Sequence, residues 1–119
     1  MKLSDAIRLG AMLKPQASNG REWPDKSCVI QAGLEGAGWA AVDSEGETLY
    51  STLSEQWPFT NIFIPHPVGQ TRIPVYAILY NLNDHHRWTR ERIADWVATI
   101  EPQEVEVIEV VKETELVER

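Results

Sequence analysis

Residues 89–100, Thr-Arg-Glu-Arg-Ile-Ala-Asp-Trp-Val-Ala-Thr-Ile, carry the clearest structural signal in this chain of 119 residues. Thr89 has a hydroxyl suited to capping a helix, and Glu91 in the first turn matches the positive end of the helix dipole. The apolar residues that recur at i, i+3, i+4 and i+7 are Ile93, Trp96, Val97 and Ile100. This spacing predicts an amphipathic α-helix that packs one face against a core.

Four earlier segments also have the spacing or the boundaries of short helices. The first begins at a predicted Ser4 cap and ends before Pro15; it is apolar on nearly all sides, so we expect it to be well buried. The second follows a cap at Asp25 or Ser27 and ends in glycines that permit close helix packing. The third covers residues 47–57, with one apolar face formed by Leu49, Leu53 and Trp57, and the fourth covers residues 75–82.

The segment from Pro58 to Pro74 separates the third helix from the fourth and contains four of the seven prolines. Loops of this length are uncommon in compact domains and are often functional. Within it, residues 61–64 have the composition of one short strand. The predicted fold is therefore mainly α: a small bundle of about five short helices, a long proline-rich loop and an acidic C-terminal tail.

Charge is concentrated at the C-terminus. The chain carries 18 acidic and 11 basic residues, a net charge of −7, and residues 104–119 contain six acidic and two basic residues. We therefore divide the chain into a helical domain, residues 1–103, and an acidic tail, residues 104–119, whose spacing fits a strand, a helix or a solvated segment. The negative charge argues against binding of nucleic acid by the whole surface.

Composition excludes several classes of protein. No apolar run reaches 18 residues, so we expect no membrane segment, and Asp5 and Arg8 argue against an N-terminal signal peptide. Cys28 is the only cysteine, which rules out a disulfide framework and favours a reducing compartment. We expect a cytoplasmic protein.

Two patches are similar to sequences found elsewhere: residues 28–38, led by cysteine and ending in glycines, and residues 82–84 followed by residues 88–97. They resemble a group of small bacterial and phage-encoded proteins that share a Cys-led, Gly-terminated helix and a Leu-Asn-Asp, Thr-x-Glu-x-Ile-Ala helix pair. This chain departs from the group at Val29 and Gln31, where Ala and Gly are usual. The resemblance implies a small, mainly helical, cytoplasmic protein of phage or prophage origin, and it implies no reaction.

Three histidines and one cysteine are the candidates for chemistry. His85 and His86 are adjacent in a predicted loop, His66 lies in the proline-rich segment, and no Cys-x-x-Cys or His-x-x-x-His spacing occurs. Cys28 lies on an apolar helix face, where a free cysteine behaves as a small, inert hydrophobe. We predict no catalytic residue, no metal ligand, no cofactor and no enzymatic activity; a small hydrolase or metal protein is the least favoured class.

The last two helices also support an alternative function, nucleic-acid binding by a helix-turn-helix-like pair. Arg87, Arg90 and Arg92 form a local basic cluster at the start of the fifth helix, and arginines in this position are suited to phosphate contacts. The segment that joins the helices is longer than the usual tight turn, and the chain as a whole is acidic. We keep this hypothesis as the alternative.

Bulky apolar residues gather at the start of the proline-rich segment. They are Trp57, Phe59, Ile62, Phe63 and Ile64. Such residues either complete a small core or form an exposed patch that binds a partner, and a strand edge at residues 62–64 offers a further binding mode. Our preferred hypothesis is a non-catalytic accessory protein that contacts an unknown protein partner, or a second copy, through this segment, with the acidic tail complementing a basic partner.

Overall fold

A computed structural model describes residues 1–39 and 46–102 and, within these ranges, contains five α-helices and one β-hairpin. The helices are α1 (Leu3–Ala11), α2 (Val29–Gly36), α3 (Gly46–Gln56), α4 (Val75–Asp84) and α5 (Arg90–Ala98), and the strands are β1 (Phe63–Pro65) and β2 (Arg72–Pro74). The predicted mainly α fold with five short helices is confirmed. The predicted tail, residues 104–119, lies outside the described residues.

All five helices contribute to one hydrophobic core. Its largest fully buried apolar side chains are Leu3, Ile7, Ile30, Leu34, Leu53, Ile78, Leu79, Leu82 and Ile93. The predicted apolar face of α3 is confirmed, because Leu49, Leu53 and Trp57 are all buried. Helices of 8 to 11 residues are marginal in isolation, so this shared core is what stabilises them.

α1 and α2 cross in backbone contact at two glycines. A Cβ atom placed on Gly10 would lie 1.8 Å from the carbonyl oxygen of Ala32, and one placed on Gly36 would lie 1.8 Å from that of Ala6. Neither position has room for a side chain unless the helices move apart. The predicted packing role of the glycines is therefore confirmed at Gly36, while Gly38 (φ +103°) follows the end of α2 in the left-handed conformation.

The start of α1 differs from the prediction. The helix begins at Leu3, and Ser4 lies inside its first turn and donates two hydrogen bonds to the carboxylate of Glu101. Ser4 is therefore not the N-cap, because a residue that follows α5 satisfies the first turn of α1. The expectation that this segment is buried on nearly all sides is also wrong, because Leu9 and Met12 are exposed.

The start of α2 is also displaced from the predicted caps, Asp25 and Ser27. Cys28 is the N-cap of this helix, and Ser27 is buried one residue before it. The N–H of Val29 donates to Oδ1 of Asn83 at 3.1 Å, so a side chain from the end of α4 satisfies the first turn of α2. The N–H of Cys28 also donates to Oε1 of Gln31 at 2.9 Å, so a local capping box accompanies this distant contact.

The proline-rich segment is more ordered than predicted. A 3₁₀ turn covers Pro58–Asn61, and β1 pairs with β2 in an antiparallel register that places Ile64 opposite Ile73. The single strand predicted at residues 61–64 begins instead at Phe63, and it pairs with a second strand where the sequence predicts only loop. The reason is that β2 has only three residues and ends in proline, which is atypical of a strand.

Candidate protein-binding surface

The hairpin places large apolar side chains on the surface of the protein. Ile62 and Phe63 expose 56% and 58% of their surface, and Val68, in the turn that connects the strands, is also exposed. One exposed apolar residue is ordinary, whereas several on one small element indicate a binding surface. We call Ile62, Phe63 and Val68 the hairpin surface.

The two faces of the hairpin have different roles. Ile64 and Ile73 lie opposite each other in the register and pack against the hydrophobic core. Successive side chains of a strand point to opposite faces, so Phe63 lies on the face away from Ile64. The inner face therefore anchors the hairpin to the body, and the outer face presents Phe63 to solvent.

Prolines weaken both free edges of the hairpin. The N–H of Val75 donates to the carbonyl oxygen of Ile62 at 3.0 Å. In an antiparallel pair, residue pairs that exchange hydrogen bonds alternate with pairs that do not. Since Ile62 and Val75 form a bonded pair, Pro65 and Pro74 lie in unbonded pairs, and their backbone groups point away from the partner strand. Since proline has no N–H, each edge lacks a donor that an added strand would need. Side-chain contact is therefore better supported than strand addition.

An apolar cavity of about 160 Å³ opens beside the hairpin. Every residue in its lining has an apolar side chain; they are Phe59, Ile62, Ile64, Val75, Ile100 and Pro102. Apolar side chains give a water molecule no hydrogen-bond partner, whereas they suit an aliphatic or aromatic group. The cavity therefore has the chemistry to hold an apolar side chain.

His66 fastens the hairpin to α4. Its ring is buried; Nδ1 accepts a hydrogen bond from the N–H of Val68 at 2.9 Å, and Nε2 lies 2.8 Å from Oδ1 of Asn81. Because Nδ1 accepts, Nε2 carries the proton and donates to Asn81. His66 therefore positions the turn that carries Val68, and both of its ring nitrogens are occupied.

The five predicted partner-binding residues divide into three groups. Trp57 is only 5% exposed, and its indole N–H donates to a backbone carbonyl at 2.9 Å, so its assignment to a binding surface is wrong. Phe59 and Ile64 are half-buried and line the cavity, whereas Ile62 and Phe63 are exposed. The tryptophan completes the core because it continues the buried face of α3.

The three predicted nucleic-acid-binding arginines do not share one exposed surface. Arg90 is only 4% exposed, and its guanidinium donates to the carbonyl oxygen of Lys14 at 2.7 Å and to Oγ of Ser27 at 2.8 Å. A guanidinium used in this way is not available to a phosphate group. The prediction is therefore wrong for Arg90, while Arg87 and Arg92 are exposed.

The residues considered for chemistry are separated or buried. In residues 1–39 and 46–102, no three His, Cys, Asp or Glu side chains are grouped so that they could hold a metal ion. The rings of His66 and His86 lie 5.3 Å apart, and His85 is exposed. Burial raises the pKa of the Cys28 thiol to about 11, which disfavours the thiolate that a nucleophile requires.

Four residues of the cavity lining or the hairpin surface were not predicted from the sequence: Val75, Ile100, Pro102 and Val68. The first three come from α4 and from the residues after α5, and only the tertiary structure brings them to the cavity. Val68 did have a local signal, an apolar residue between Pro67 and Gly69 in a turn.

No protein-family model, curated protein or solved structure matches this chain. The resemblance to phage-encoded proteins therefore stays a prediction. Among the helices of the described residues, none has the length and apolar character needed to cross a membrane.

Proposed function

We propose that this protein is a non-catalytic accessory protein that binds another protein through the hairpin surface. The observation that carries the proposal is the exposed side chain of Ile62, which lines an apolar cavity of about 160 Å³, next in sequence to Phe63, which is exposed on the other face of the strand. A bulky apolar side chain of the partner enters this cavity and packs against Ile62. Burial of one such side chain contributes about 1.5–3 kcal/mol, which is typical of the anchor residues of protein interfaces.

The anchoring of the hairpin supports this function. Ile64 and Ile73 pack against the core, and His66 ties the turn to Asn81 of α4. A surface held in one conformation loses little entropy when it binds, so more of the contact energy appears as affinity.

Charge favours a basic partner over a second copy of this chain. Pro102 lines the cavity, and residues 104–119, which follow it almost directly, carry a net charge of −4. Two copies, each with a net charge of −7, repel each other, whereas basic residues on a different protein accelerate association. We therefore propose a partner that presents an apolar side chain flanked by Lys or Arg.

The proposal is tested with a double variant, Ile62→Ser with Phe63→Ser, which leaves the half-buried Ile64 in place. The full chain and the variant are used to capture proteins from a host lysate, and each captured protein is then purified and titrated by calorimetry. We expect a basic protein that the wild-type chain binds directly and that the variant binds at least about tenfold more weakly. Added salt slows association, because it screens the charges.

A matched control removes apolar surface elsewhere. Leu9→Ser with Met12→Ser changes two exposed side chains at the end of α1, and we expect it to bind the partner as the wild type does. Circular dichroism must show that both variants are folded. Equal binding by the folded hairpin variant and the wild type would contradict the proposal, and a concentration-dependent dimer without a captured protein would indicate self-association instead.

A further inference from the structure

A second cavity, of about 230 Å³, lies between the loop that follows α1 and the end of α4. It shares no residue with the hairpin surface or with the apolar cavity. Most of its lining is polar or charged: Gln16, Ala17, Ser18, Glu22, Lys26, Asn83 and Arg87. Its volume is below that of most pockets for drug-sized ligands, so it suits a small polar molecule.

Two amide side chains in the lining of this cavity, Gln16 and Asn83, hold the surrounding elements together. Nε2 of Gln16 donates to Oδ1 of Asn83 at 3.1 Å and to the carbonyl oxygen of Trp88 at 2.8 Å. Nδ2 of Asn83 donates to the carbonyl oxygen of Ala17 at 2.9 Å. Because these groups bond one another across the loop and α4, the cavity is formed before any ligand binds.

Arg87 has a backbone conformation that usually belongs to glycine. Its φ is +55°, and the N–H of the next residue, Trp88, donates to the carbonyl oxygen of Leu82 at 3.0 Å. This hydrogen bond spans the residues that follow α4, and the positive φ of Arg87 within them favours glycine, because a Cβ atom is strained in that conformation. The structural role of this position would be filled better by glycine than by arginine.

Among the described residues, no hydrogen bond or ion pair accounts for the side chain of Arg87. It is exposed, and within residues 1–39 and 46–102 its guanidinium has no hydrogen bond and no ion pair. The other charges of the cavity offset each other: Glu22 lies 3.3 Å from Nζ of Lys26 and accepts hydrogen bonds from the N–H and hydroxyl of Ser18. Arg87 is therefore the uncompensated charge of the lining.

We propose that this cavity binds a small molecule through a carboxylate or phosphate group held by Arg87. The planar guanidinium donates two parallel hydrogen bonds to either group. Its position on a strained turn, in the lining of a braced cavity, is typical of residues that serve binding rather than stability. The ligand carries a single oxyanion, because only one cation of the lining is left without a partner.

The test titrates the full chain with inorganic phosphate and, separately, with acetate, and follows backbone amides by NMR. We expect saturable shifts at Ser18, Asn83 and Arg87 with at least one of the two anions, and the tighter one identifies the group recognised. Arg87→Gly should weaken binding by at least about tenfold. The same variant should raise the melting temperature, since glycine removes the strain.

The control is Arg21→Gln, which removes an exposed positive charge from the same loop but outside the cavity lining. It should bind both anions as the wild type does. Three results would each overturn the proposal: no saturable shift with either anion, equal loss of binding in both variants, or a lower melting temperature for Arg87→Gly. Binding of a DNA duplex that needs Arg87, without saturable binding of either anion, would favour nucleic acid instead.

Discussion

Glu101 accepts hydrogen bonds from both the backbone N–H and the hydroxyl of Ser4, a residue 97 positions earlier in the chain. Both residues are buried. The contact joins the first turn of α1 to the segment after α5 and places a carboxylate at the positive end of the α1 dipole. The Glu101 carboxylate therefore joins the first helix of the described chain to the residues that follow the last one.

Removal of the Ser4 hydroxyl should destabilise the fold. Because a buried hydrogen bond to a charged group is worth about 1.5–3 kcal/mol, Ser4→Ala should lower the free energy of unfolding by about 2 kcal/mol. Urea denaturation measures the change. Asp95→Asn is the control, since it weakens an exposed ion pair with Arg8 (2.9 Å) and should cost less than about 1 kcal/mol. An equal decrease in the free energy of unfolding in the two variants would show that the Ser4–Glu101 hydrogen bond contributes no more than an exposed ion pair.

The close approach of α1 and α2 should make Gly10 intolerant of any side chain. A Cβ atom there would overlap the carbonyl oxygen of Ala32 at 1.8 Å, so Gly10→Ala must separate the helices and should cost more than about 3 kcal/mol. Gly69→Ala is the matched control: it has open space and a φ of +89°, so it should cost about 1 kcal/mol through strain alone. A Gly10→Ala protein as stable as the control would mean that the helices do not touch there.

Arg90 should behave as a core residue and not as a nucleic-acid contact. Its guanidinium bonds the backbone after α1, at Lys14, and the residue before the α2 cap, Ser27. Arg90→Ala should therefore lower the free energy of unfolding by about 3 kcal/mol, since several buried carbonyl and hydroxyl groups lose their donor. Arg92→Ala, at an exposed position, should change it by less than about 1 kcal/mol. Thermal and urea denaturation distinguish the two; a small effect at Arg90 would reopen the nucleic-acid hypothesis.

Stability should fall at alkaline pH because of Cys28. Burial raises the pKa of its thiol from 9.0 to about 11, so between these values the unfolded chain loses a proton that the folded chain keeps. Raising the pH from 9 to 11 therefore stabilises the unfolded state relative to the folded one. Burial also raises the pKa of Tyr50 from 10.0 to about 12. The free energy of unfolding should therefore fall further as the pH rises from 10 to 12.

The Cys28 contribution is isolated by comparing urea denaturation of the wild type and Cys28→Ala across this pH range. The variant should lose less stability between pH 9 and 11 than the wild type does. Below pH 9 the wild-type thiol should react with iodoacetamide much faster in urea than in buffer, because the native thiol is buried. Parallel pH profiles, together with equal alkylation rates, would contradict the burial of this group.

Most of the helical fold was predictable because its signals are local. The i, i+4 spacing of Leu49 and Leu53 and the hydroxyl of Thr89 act within a few residues, and the structure has Oγ1 of Thr89 accepting the N–H of Arg92 at 3.1 Å. Such spacing and caps define a helix wherever it later packs. The cap of α1 was predicted wrongly because Glu101 satisfies its first turn from another element; α2 begins at Cys28, whose N–H donates to Oε1 of Gln31, and a cysteine is not a typical N-cap residue.

The candidate binding surface was predictable only in its approximate place. The crowding of apolar residues indicated the segment after α3, but whether Trp57 or Phe63 faces solvent depends on the strand register and on how the hairpin packs. The cavity requires Val75 and Ile100, which are remote from that segment in sequence. Periodicity carries no information on such contacts.

The sequence by itself determined the class of the fold, the number of helices and most of their apolar faces, because these follow from periodicity and from residues near each boundary. Only the tertiary structure decided which individual polar and aromatic side chains are buried and which are exposed. Arg90 and Glu101 are buried because distant partners satisfy their hydrogen bonds, and Phe63 is exposed because Ile64 occupies the inner face of the hairpin. Burial of a polar group depends on its partners in space, and these are set only when the elements pack.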